Sequence, residues 1–220
     1  YAVSDHRVAN NTSEIINLIV PKVKYAFFPA LHPYGINFKD FIIEKDNIYW
    51  LNIDRLGFSM DLPSCGMNKT VANVGLQILA YMGFKEIYFL GVDMDYQDHS
   101  SAEKQNSRNW ISTKDDDPNH FDPRYFGKGS EYHNPNPGRL EETKLRYDQA
   151  KKYYEKYGVK IYNAGVGGKL EVFDRKDLRA LFSISKNDEL KLILNIIGIV
   201  GNYDNIEEAK IFLDKNKTKF

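Results

Sequence analysis

The sequence has 220 residues, of which 42% are hydrophobic and 14% aromatic, so the chain can bury a core and is not expected to be disordered. Thirty basic residues balance thirty acidic ones, which leaves no net positive charge to attract nucleic acid or an anionic membrane. The single cysteine, Cys65, excludes an internal disulfide and a cysteine-based zinc site, and we expect it to be a buried, unreactive thiol.

No apolar run approaches the roughly 20 residues that a membrane-spanning helix requires. The longest run, residues 190–201, is interrupted by Lys191 and Asn195. The sequence also does not open on a basic stretch followed by an apolar one, so no signal peptide is visible. We therefore expect a cytoplasmic protein without a membrane span.

The first five residues have the pattern of the end of a strand, and we expect the start of that strand to precede residue 1. Residues 11–14 (Asn, Thr, Ser, Glu) predict the cap of a helix that runs to Val20, where Pro21 helps to stop it. Short strands are predicted at residues 25–28 and 47–53.

The most informative segment is residues 85–96, where an apolar run ends at Gly91 and is followed by Asp93 and Asp95. A buried parallel strand ends in this way at the crevice where open α/β sheets bind ligands. Residues 69–83, just upstream, have apolar side chains at helical spacing and end on a glycine, so a helix should precede this strand. The site is therefore expected to begin at Asp93.

Residues 97–138 show almost no hydrophobic period, and a long segment of this kind usually covers a site, so we expect a mobile cover. A helix is predicted over residues 139–157, a strand over 159–163 and a glycine-rich turn over 164–169. The alternation of helices and strands predicts an α/β fold with a Rossmann-like, three-layer, mainly parallel sheet in residues 1–182, its N-terminal part missing. A helical C-terminal extension, residues 183–220 with a helix at 206–213, is expected to follow.

Asp93 and Asp95 have a spacing that can place two carboxylates on one side of the chain, where they would share Mg²⁺ with a diphosphate. Alternatively, one aspartate caps a turn and the other bonds a ribose or backbone amides. Tyr96 can donate a hydrogen bond to a phosphate, or it can pack against the following segment. The backbone amides of Gly167 and Gly168 can contact a ligand, although the sequence around them lacks the Walker pattern.

Three histidines, His99, His120 and His133, lie within residues 97–138. Histidine can act as a general acid or base near neutral pH, and the alternative for each is a solvated surface group. An aromatic neighbour can hold the His120 ring, so we rank His120 first as the base, His133 second and His99 last. Lys128 can neutralise a leaving phosphate, or it can simply lie in solvent.

Four segments together resemble the MptE-like domain of unknown function 115 and, more distantly, the bacterial sialyltransferases of glycosyltransferase family 42. They are residues 1–7, 70–83, 85–93 and 119–128, and the resemblance extends over roughly residues 1–182. The first family takes its name from archaeal 6-hydroxymethylpterin pyrophosphokinases, and it also occurs in bacterial polysaccharide and flagellin glycosylation proteins.

The resemblance implies roles for several residues. It implies nucleotide contacts for Gly91 and Asp93, with Tyr96 near the phosphate. Thr70 falls at a helix start that lies against the nucleotide in the sialyltransferases. Asp5 stands where that family has an asparagine that faces the donor sugar.

The sequence departs from the family pattern in two places. The Gly-Asn-Gly-Pro-Ser-Leu loop, which holds the nucleotide in the family, would precede Ser4 and is absent from this sequence. The sialyltransferase base is a histidine in a His-Tyr-Ile-Gly-His run, and Lys128 stands at its place here. We therefore expect His120 or His133 to replace it, or the chemistry to differ.

These observations favour a glycosyltransferase that uses a nucleotide-activated sugar, with a CMP-sugar as the expected donor and a glycan or small molecule as acceptor, in surface polysaccharide or protein glycosylation. The alternative is a 6-hydroxymethylpterin pyrophosphokinase-like diphosphotransferase that uses ATP, with Asp93 and Asp95 on Mg²⁺. A third interpretation is a non-catalytic nucleotide- or glycan-binding module. Dependence on a divalent metal distinguishes the first two.

Overall fold

The computed structural model describes residues 1–106, 109–120, 122–133, 137–181 and 199–202. Within these ranges there are five α-helices: α1 (His6–Asn11), α2 (Ser13–Ile19), α3 (Val71–Tyr81), α4 (Pro137–Glu155) and α5 (Leu178–Leu181). The same ranges hold ten β-strands: β1 (Ala26–Leu31), β2 (Ile48–Asp54), β3 (Ser64–Gly66), β4 (Glu86–Phe89), β5 (Ala102–Lys104), β6 (Asn109–Ser112), β7 (Glu131–His133), β8 (Lys160–Asn163), β9 (Asp174–Arg175) and β10 (Ile199–Asn202). None of the helices described here is long and apolar enough to cross a membrane.

The first sheet has the order β1-β2-β3, and both of its strand pairs are parallel. Because side chains alternate along a strand, its two faces enter different cores. Phe28 packs with Ala9 of α1 and Ile16 of α2. The adjacent Phe27 packs on the opposite face with Val74 and Ile78 of α3. Helices therefore cover both faces of this parallel sheet.

The residues before α1 continue the same sheet. Ala2 forms a parallel bridge with Phe27, and the N–H of Val3 donates to the carbonyl of Phe27 at 3.3 Å. This extended pairing agrees with the strand end predicted at residues 1–5. The helix predicted from residue 11 is α2, but the short α1 before it was not predicted.

The second sheet has the order β10-β4-β8-β9, in which β4, β8 and β9 are parallel and β10 is antiparallel to β4. Ile87 and Phe89 of β4 pack with Leu76 of α3 and with Tyr147 and Tyr154 of α4. The strand predicted from residue 85 onward is thus an inner strand of this sheet, parallel to β8 and antiparallel to β10. The predicted helical extension, residues 183–220, lies outside the described residues except for β10, which is a strand rather than a helix.

The third sheet corrects the expectation for residues 97–138. This segment is not structureless, because β5, β6 and β7 form an antiparallel sheet within it. Each strand has only three or four residues, which is too short for a hydrophobic period to be visible in the sequence. An aromatic stack supports the sheet, with the rings of Phe126 and Tyr132 4.9 Å apart. Its role as a mobile cover stays a prediction.

The described chain is therefore an α/β protein with two small sheets built mainly from parallel pairs and one antiparallel sheet. The antiparallel strands are the part that alternation of helices and strands could not predict. Parallel β4 and β8 place their carboxyl ends at one edge of the second sheet, and this edge is where a ligand site is expected in open α/β sheets.

Candidate functional site

The site is centred on the carboxyl ends of β4 and β8. After β4 the chain passes through Gly91 to Asp93, and after β8 it enters the glycine-rich turn, residues 164–169. The carbonyl oxygen of Asp93 accepts hydrogen bonds from the backbone N–H groups of Lys169 at 2.6 Å and Leu170 at 3.0 Å. The structure thus places Asp93 directly against the turn.

Gly168 makes this close approach possible. Its φ is +79°, and a Cβ added to it would lie 2.5 Å from the Cβ of Asp93. The preceding Gly167 has a φ of +76°, yet a Cβ there would meet nothing within 4 Å. Gly91, with φ +66°, is also free of neighbours at its Cβ position. Only Gly168 is required both by its backbone conformation and by the space available.

Two side chains hydrogen-bond to the backbone of the glycine-rich turn. The buried Asn163 donates from Nδ2 to the carbonyl of Leu170 and accepts from the N–H of Gly165, both at 2.9 Å. Arg175 donates from Nη1 to the carbonyl of Gly167 at 2.7 Å. The carbonyls of Gly165, Gly167, Gly168 and Leu170 thus accept side-chain hydrogen bonds. In the described part of the chain the backbone N–H groups of Gly167 and Gly168 have no acceptor, and such groups can bind an anion.

Asp93 and Asp95 both have protein partners. Oδ1 of Asp93 accepts the backbone N–H of Asp95 at 3.3 Å, and the carboxylate of Asp95 pairs with Lys169 at 2.5 Å. Among the described residues no group of three or more His, Cys, Asp or Glu side chains is arranged to hold a metal ion. The bond from the N–H of Asp95 to Asp93 is the turn cap of the second interpretation, and a magnesium site shared by the two aspartates stays a prediction.

Thr70 is linked to this site through two tyrosines, Tyr147 and Tyr96. Its hydroxyl caps α3 by accepting the N–H of Ala72 at 3.2 Å. Burial raises the pKa of the Tyr147 hydroxyl. A hydrogen bond from Thr70 lowers this pKa, and the negative charge that Tyr96 carries when ionised raises it. Burial of its hydroxyl also raises the pKa of Tyr96, followed by the charge of Asp93. Thr70 therefore lies against Tyr147, and Tyr96 is within electrostatic range of both Tyr147 and Asp93.

A second part of the site is a histidine–aspartate pair in the segment between β6 and β7. His120 Nδ1 lies 2.7 Å from Oδ2 of Asp117, whose residue exposure is only 5%. Asp117 also accepts the N–H groups of Asn119 at 2.9 Å and Phe126 at 3.2 Å. The ring of Tyr125 stacks on the imidazole, with centroids 4.1 Å apart and planes at 12°. The His120 ring is thus held in one orientation.

This orientation determines what His120 can do. Because a carboxylate only accepts, Nδ1 carries the proton and the neutral ring offers Nε2 as an acceptor. No described residue hydrogen-bonds to Nε2. The pair therefore has the geometry of a general base oriented by an aspartate.

The pair lies close to the first part of the site. The side chain of Asn119 hydrogen-bonds both backbone groups of Gln97, accepting from its N–H at 2.7 Å and donating to its carbonyl at 2.9 Å. Burial raises the pKa of Tyr125, and the charges of Asp5, Tyr1, Asp117 and Tyr96 raise it further. Tyr125, stacked on His120, is thus within electrostatic reach of both Tyr96 and Asp5.

Asp5 and His133 share a small cleft of about 90 Å³ between α1 and the antiparallel sheet. Oδ1 of Asp5 caps α1 by accepting the N–H groups of Arg7 at 2.7 Å and Val8 at 3.4 Å. Arg7 crosses the cleft to pair with Glu131 of β7 at 3.1 Å. His133 therefore lies near Asp5, while Asp5 has a structural role as a cap.

The two remaining candidates lie elsewhere. His99 is buried, bonds Oδ1 of Asp116 at 2.7 Å and stacks on Tyr132 at 5.8 Å, so it is held more tightly than its polar sequence neighbours suggested. Hydrogen bonds from Ser101 and then His99 lower the pKa of Asp116. The backbone of Lys128 donates to Asp115 at 2.7 Å, whereas its side chain is exposed and, among the described residues, has no contact that places it at the site.

The sequence analysis missed a group at the carboxyl edge of the first sheet. The rings of His6 and His32 are 4.7 Å apart, and that of Tyr34 lies 5.0 Å from His32. Arg55 lies over the Tyr34 ring at 4.9 Å. His32 and Arg55 directly follow the ends of β1 and β2, so the rule applied to Asp93 would have found them as well.

Comparisons with protein-family models, with curated proteins and with solved structures found no match for this chain.

Proposed function

We propose that this protein is a glycosyltransferase that uses a nucleotide-activated sugar, with a CMP-sugar as the first donor to test. The observation that supports this best is the His120–Asp117 pair, an oriented base whose neighbour Asn119 hydrogen-bonds the backbone of Gln97, the residue after Tyr96. A transferase needs a base for the acceptor hydroxyl and donors for the departing phosphate, close to each other. The proposal agrees with the family resemblance in the sequence.

The nucleotide would bind at the edge formed by Asp93 and the glycine-rich turn. We also propose that the two mainly parallel sheets belong to a Rossmann-like, three-layer arrangement, since helices cover both faces of the first sheet. The N–H groups of Gly167 and Gly168 and the hydroxyl of Tyr96 would donate to the phosphate. Thr70, beside Tyr147, would border the nucleotide.

In the transfer step, Nε2 of His120 takes the proton from the acceptor hydroxyl as its oxygen attacks the anomeric carbon. The bond between that carbon and the phosphate oxygen breaks, and the nucleotide leaves with both bonding electrons. The buried carboxylate of Asp117 stabilises the imidazolium that forms. Donors at the turn stabilise the charge on the departing phosphate. His133, which shares a cleft with Asp5, is the second choice for the base.

The first experiment measures ligand binding to the full chain. We would follow the melting temperature with CMP, UDP, GDP and ATP, each with and without Mg²⁺. We expect CMP to raise the melting temperature and Mg²⁺ to be dispensable. Stabilisation by ATP only with Mg²⁺ would instead favour the diphosphotransferase with Asp93 and Asp95 on the metal.

The second experiment tests the base by measuring nucleotide release from a CMP-sugar, with water as acceptor. His120→Ala should lower kcat by roughly 10²-fold or more, the usual scale for loss of a general base, with nucleotide affinity nearly unchanged. His99→Gln is the matched control, because His99 is also paired with an aspartate, and it should keep kcat within about threefold. Wild-type kcat in His120→Ala would contradict the assignment, and binding without any turnover would favour the non-catalytic module.

A further inference from the structure

Four side chains form a cluster at the carboxyl edge of the first sheet, called here the histidine cluster: His6, His32, Tyr34 and Arg55. His32 follows the end of β1, and Arg55 follows the end of β2. His6 follows the extended residues that pair in parallel with β1. Because these parallel segments point the same way, their carboxyl ends bring the three side chains to one edge.

The contacts in the cluster are close and specific. The rings of His6 and His32 lie 4.7 Å apart, and Tyr34 packs on His32 at 5.0 Å and on His6 at 5.9 Å. Nδ1 of His32 accepts the backbone N–H of Tyr34 at 3.3 Å. The proton of the neutral ring is therefore on Nε2, which is a hydrogen-bond donor.

The positive charge of the cluster has no matching carboxylate. Arg55 is exposed and lies over the ring of Tyr34, and no described residue forms a salt bridge with it. Asp5 is the carboxylate whose charge reaches both histidines, but its Oδ1 already accepts two backbone N–H groups. A guanidinium beside imidazole and phenol groups, with no anion of its own, is suited to bind one.

We propose that the histidine cluster binds a phosphate or carboxylate group of the sugar acceptor. This assignment rests on the proposed function for its choice of acceptor over donor. The donor nucleotide is assigned to the edge at Asp93, on the other sheet. The charge of Asp5 reaches both the cluster and Tyr125, which stacks on the proposed base His120.

Inorganic phosphate is the probe for the test, and the readouts are the melting temperature and the NMR signals of the histidine rings. In the wild-type protein, phosphate should shift the imidazole signals of His6 and His32 and raise the pKa of His6, because a nearby anion favours the protonated ring. Arg55→Gln should weaken phosphate binding by about tenfold, the scale for one charge-assisted hydrogen bond. Arg124→Gln is the matched control, since Arg124 is exposed and paired with Asp122, and it should change phosphate affinity less than about twofold.

The proposal is overturned if phosphate shifts neither ring, or if Arg55→Gln keeps wild-type phosphate affinity. CMP affinity, measured on the same proteins, separates this proposal from the function on which it rests. If none of CMP, UDP and GDP binds while phosphate still shifts the cluster, the proposed function fails and the anion site stands. If Arg55→Gln weakens CMP as much as phosphate, the cluster belongs to the donor and the acceptor assignment is wrong.

Discussion

His32 illustrates how burial changes the chemistry of a single side chain. Its residue exposure is 2%, and burial, followed by the nearby charge of His6, lowers the pKa of His32 to about 4. The charge of Asp5 acts in the opposite direction but is the smaller effect. At neutral pH the ring is therefore uncharged, which is the state that a buried imidazole among other rings requires.

This low pKa predicts a pH dependence of stability. Between pH 6.5 and about 4 the unfolded chain binds a proton at His32 that the folded chain does not, so stability falls as pH falls through this range. We expect the contribution of His32 to be roughly 2 kcal/mol. His32→Gln should reduce the loss of unfolding free energy over this range, measured by urea denaturation at several pH values. An unchanged pH dependence in the variant would contradict the buried, neutral histidine.

Gly167 and Gly168 provide a matched pair at the site. Both have a positive φ, but only a side chain at 168 would meet Asp93. Gly167→Ala should cost about 1 kcal/mol of unfolding free energy from backbone strain alone. Gly168→Ala should cost roughly 3 kcal/mol, because the backbone of Asp93 must also move. Denaturant unfolding of both variants checks this. Equal losses of unfolding free energy would show that a side chain at position 168 does not clash with Asp93.

At the scale of elements, β3 and α3 are joined by a buried amide. Gln77 of α3 accepts the N–H of Gly66 at 3.0 Å and donates to its carbonyl at 2.7 Å. Asn68, in the turn between the two elements, bonds both backbone groups of Gly57, with its Nδ2 2.5 Å from the Gly57 carbonyl. Gln77 thus ties the end of β3 to α3, and Asn68 satisfies the backbone groups of Gly57 in the segment before β3.

Gln77→Leu tests this joint. The leucine fills a similar volume but leaves the buried N–H of Gly66 unpaired and its carbonyl with only the 3.2 Å hydrogen bond from Asn68, so the variant should lose roughly 1–3 kcal/mol of unfolding free energy. The exposed Gln149→Leu is the control and should stay within about 0.5 kcal/mol of wild type. A Gln77→Leu protein as stable as this control would show that the joint contributes little.

At the scale of the whole molecule, α3 connects the two mainly parallel sheets. Leu76 packs with the core of the second sheet, whereas Ile78 packs with the core of the first. The antiparallel sheet is attached separately, through the pair between Arg7 and Glu131 and through Asn109, whose Oδ1 accepts from Arg7 at 3.3 Å. Arg7, which follows the extended residues beside β1, thus links the first sheet to the antiparallel sheet.

Most of the regular fold was predictable, because its elements carry a local signal. Strands β1, β2, β4 and β8 and helices α3 and α4 all lie where the hydrophobic pattern and the glycine stops predicted them. Helix α1 has only six residues, and the strands of the antiparallel sheet have three or four. Elements this short carry no period, and tertiary contacts decide whether they form.

The sequence by itself determined the α/β alternation, the strand that leads to Asp93, and the need for glycine in the turn after β8, because each depends on neighbours along the chain. Tertiary structure alone decided which side chains meet. It brought Gly168 against Asp93, and it gave His120 its partner Asp117 and its stacking ring Tyr125. It also assembled His6, His32 and Arg55 at one edge. The contact of Gly168 with Asp93 and those of the histidine cluster join residues from separate elements, and the packing of the sheets sets their distances, which no local pattern encodes. Asp117, His120 and Tyr125 lie in one segment between β6 and β7, whose irregular fold leaves no periodic signal in the sequence.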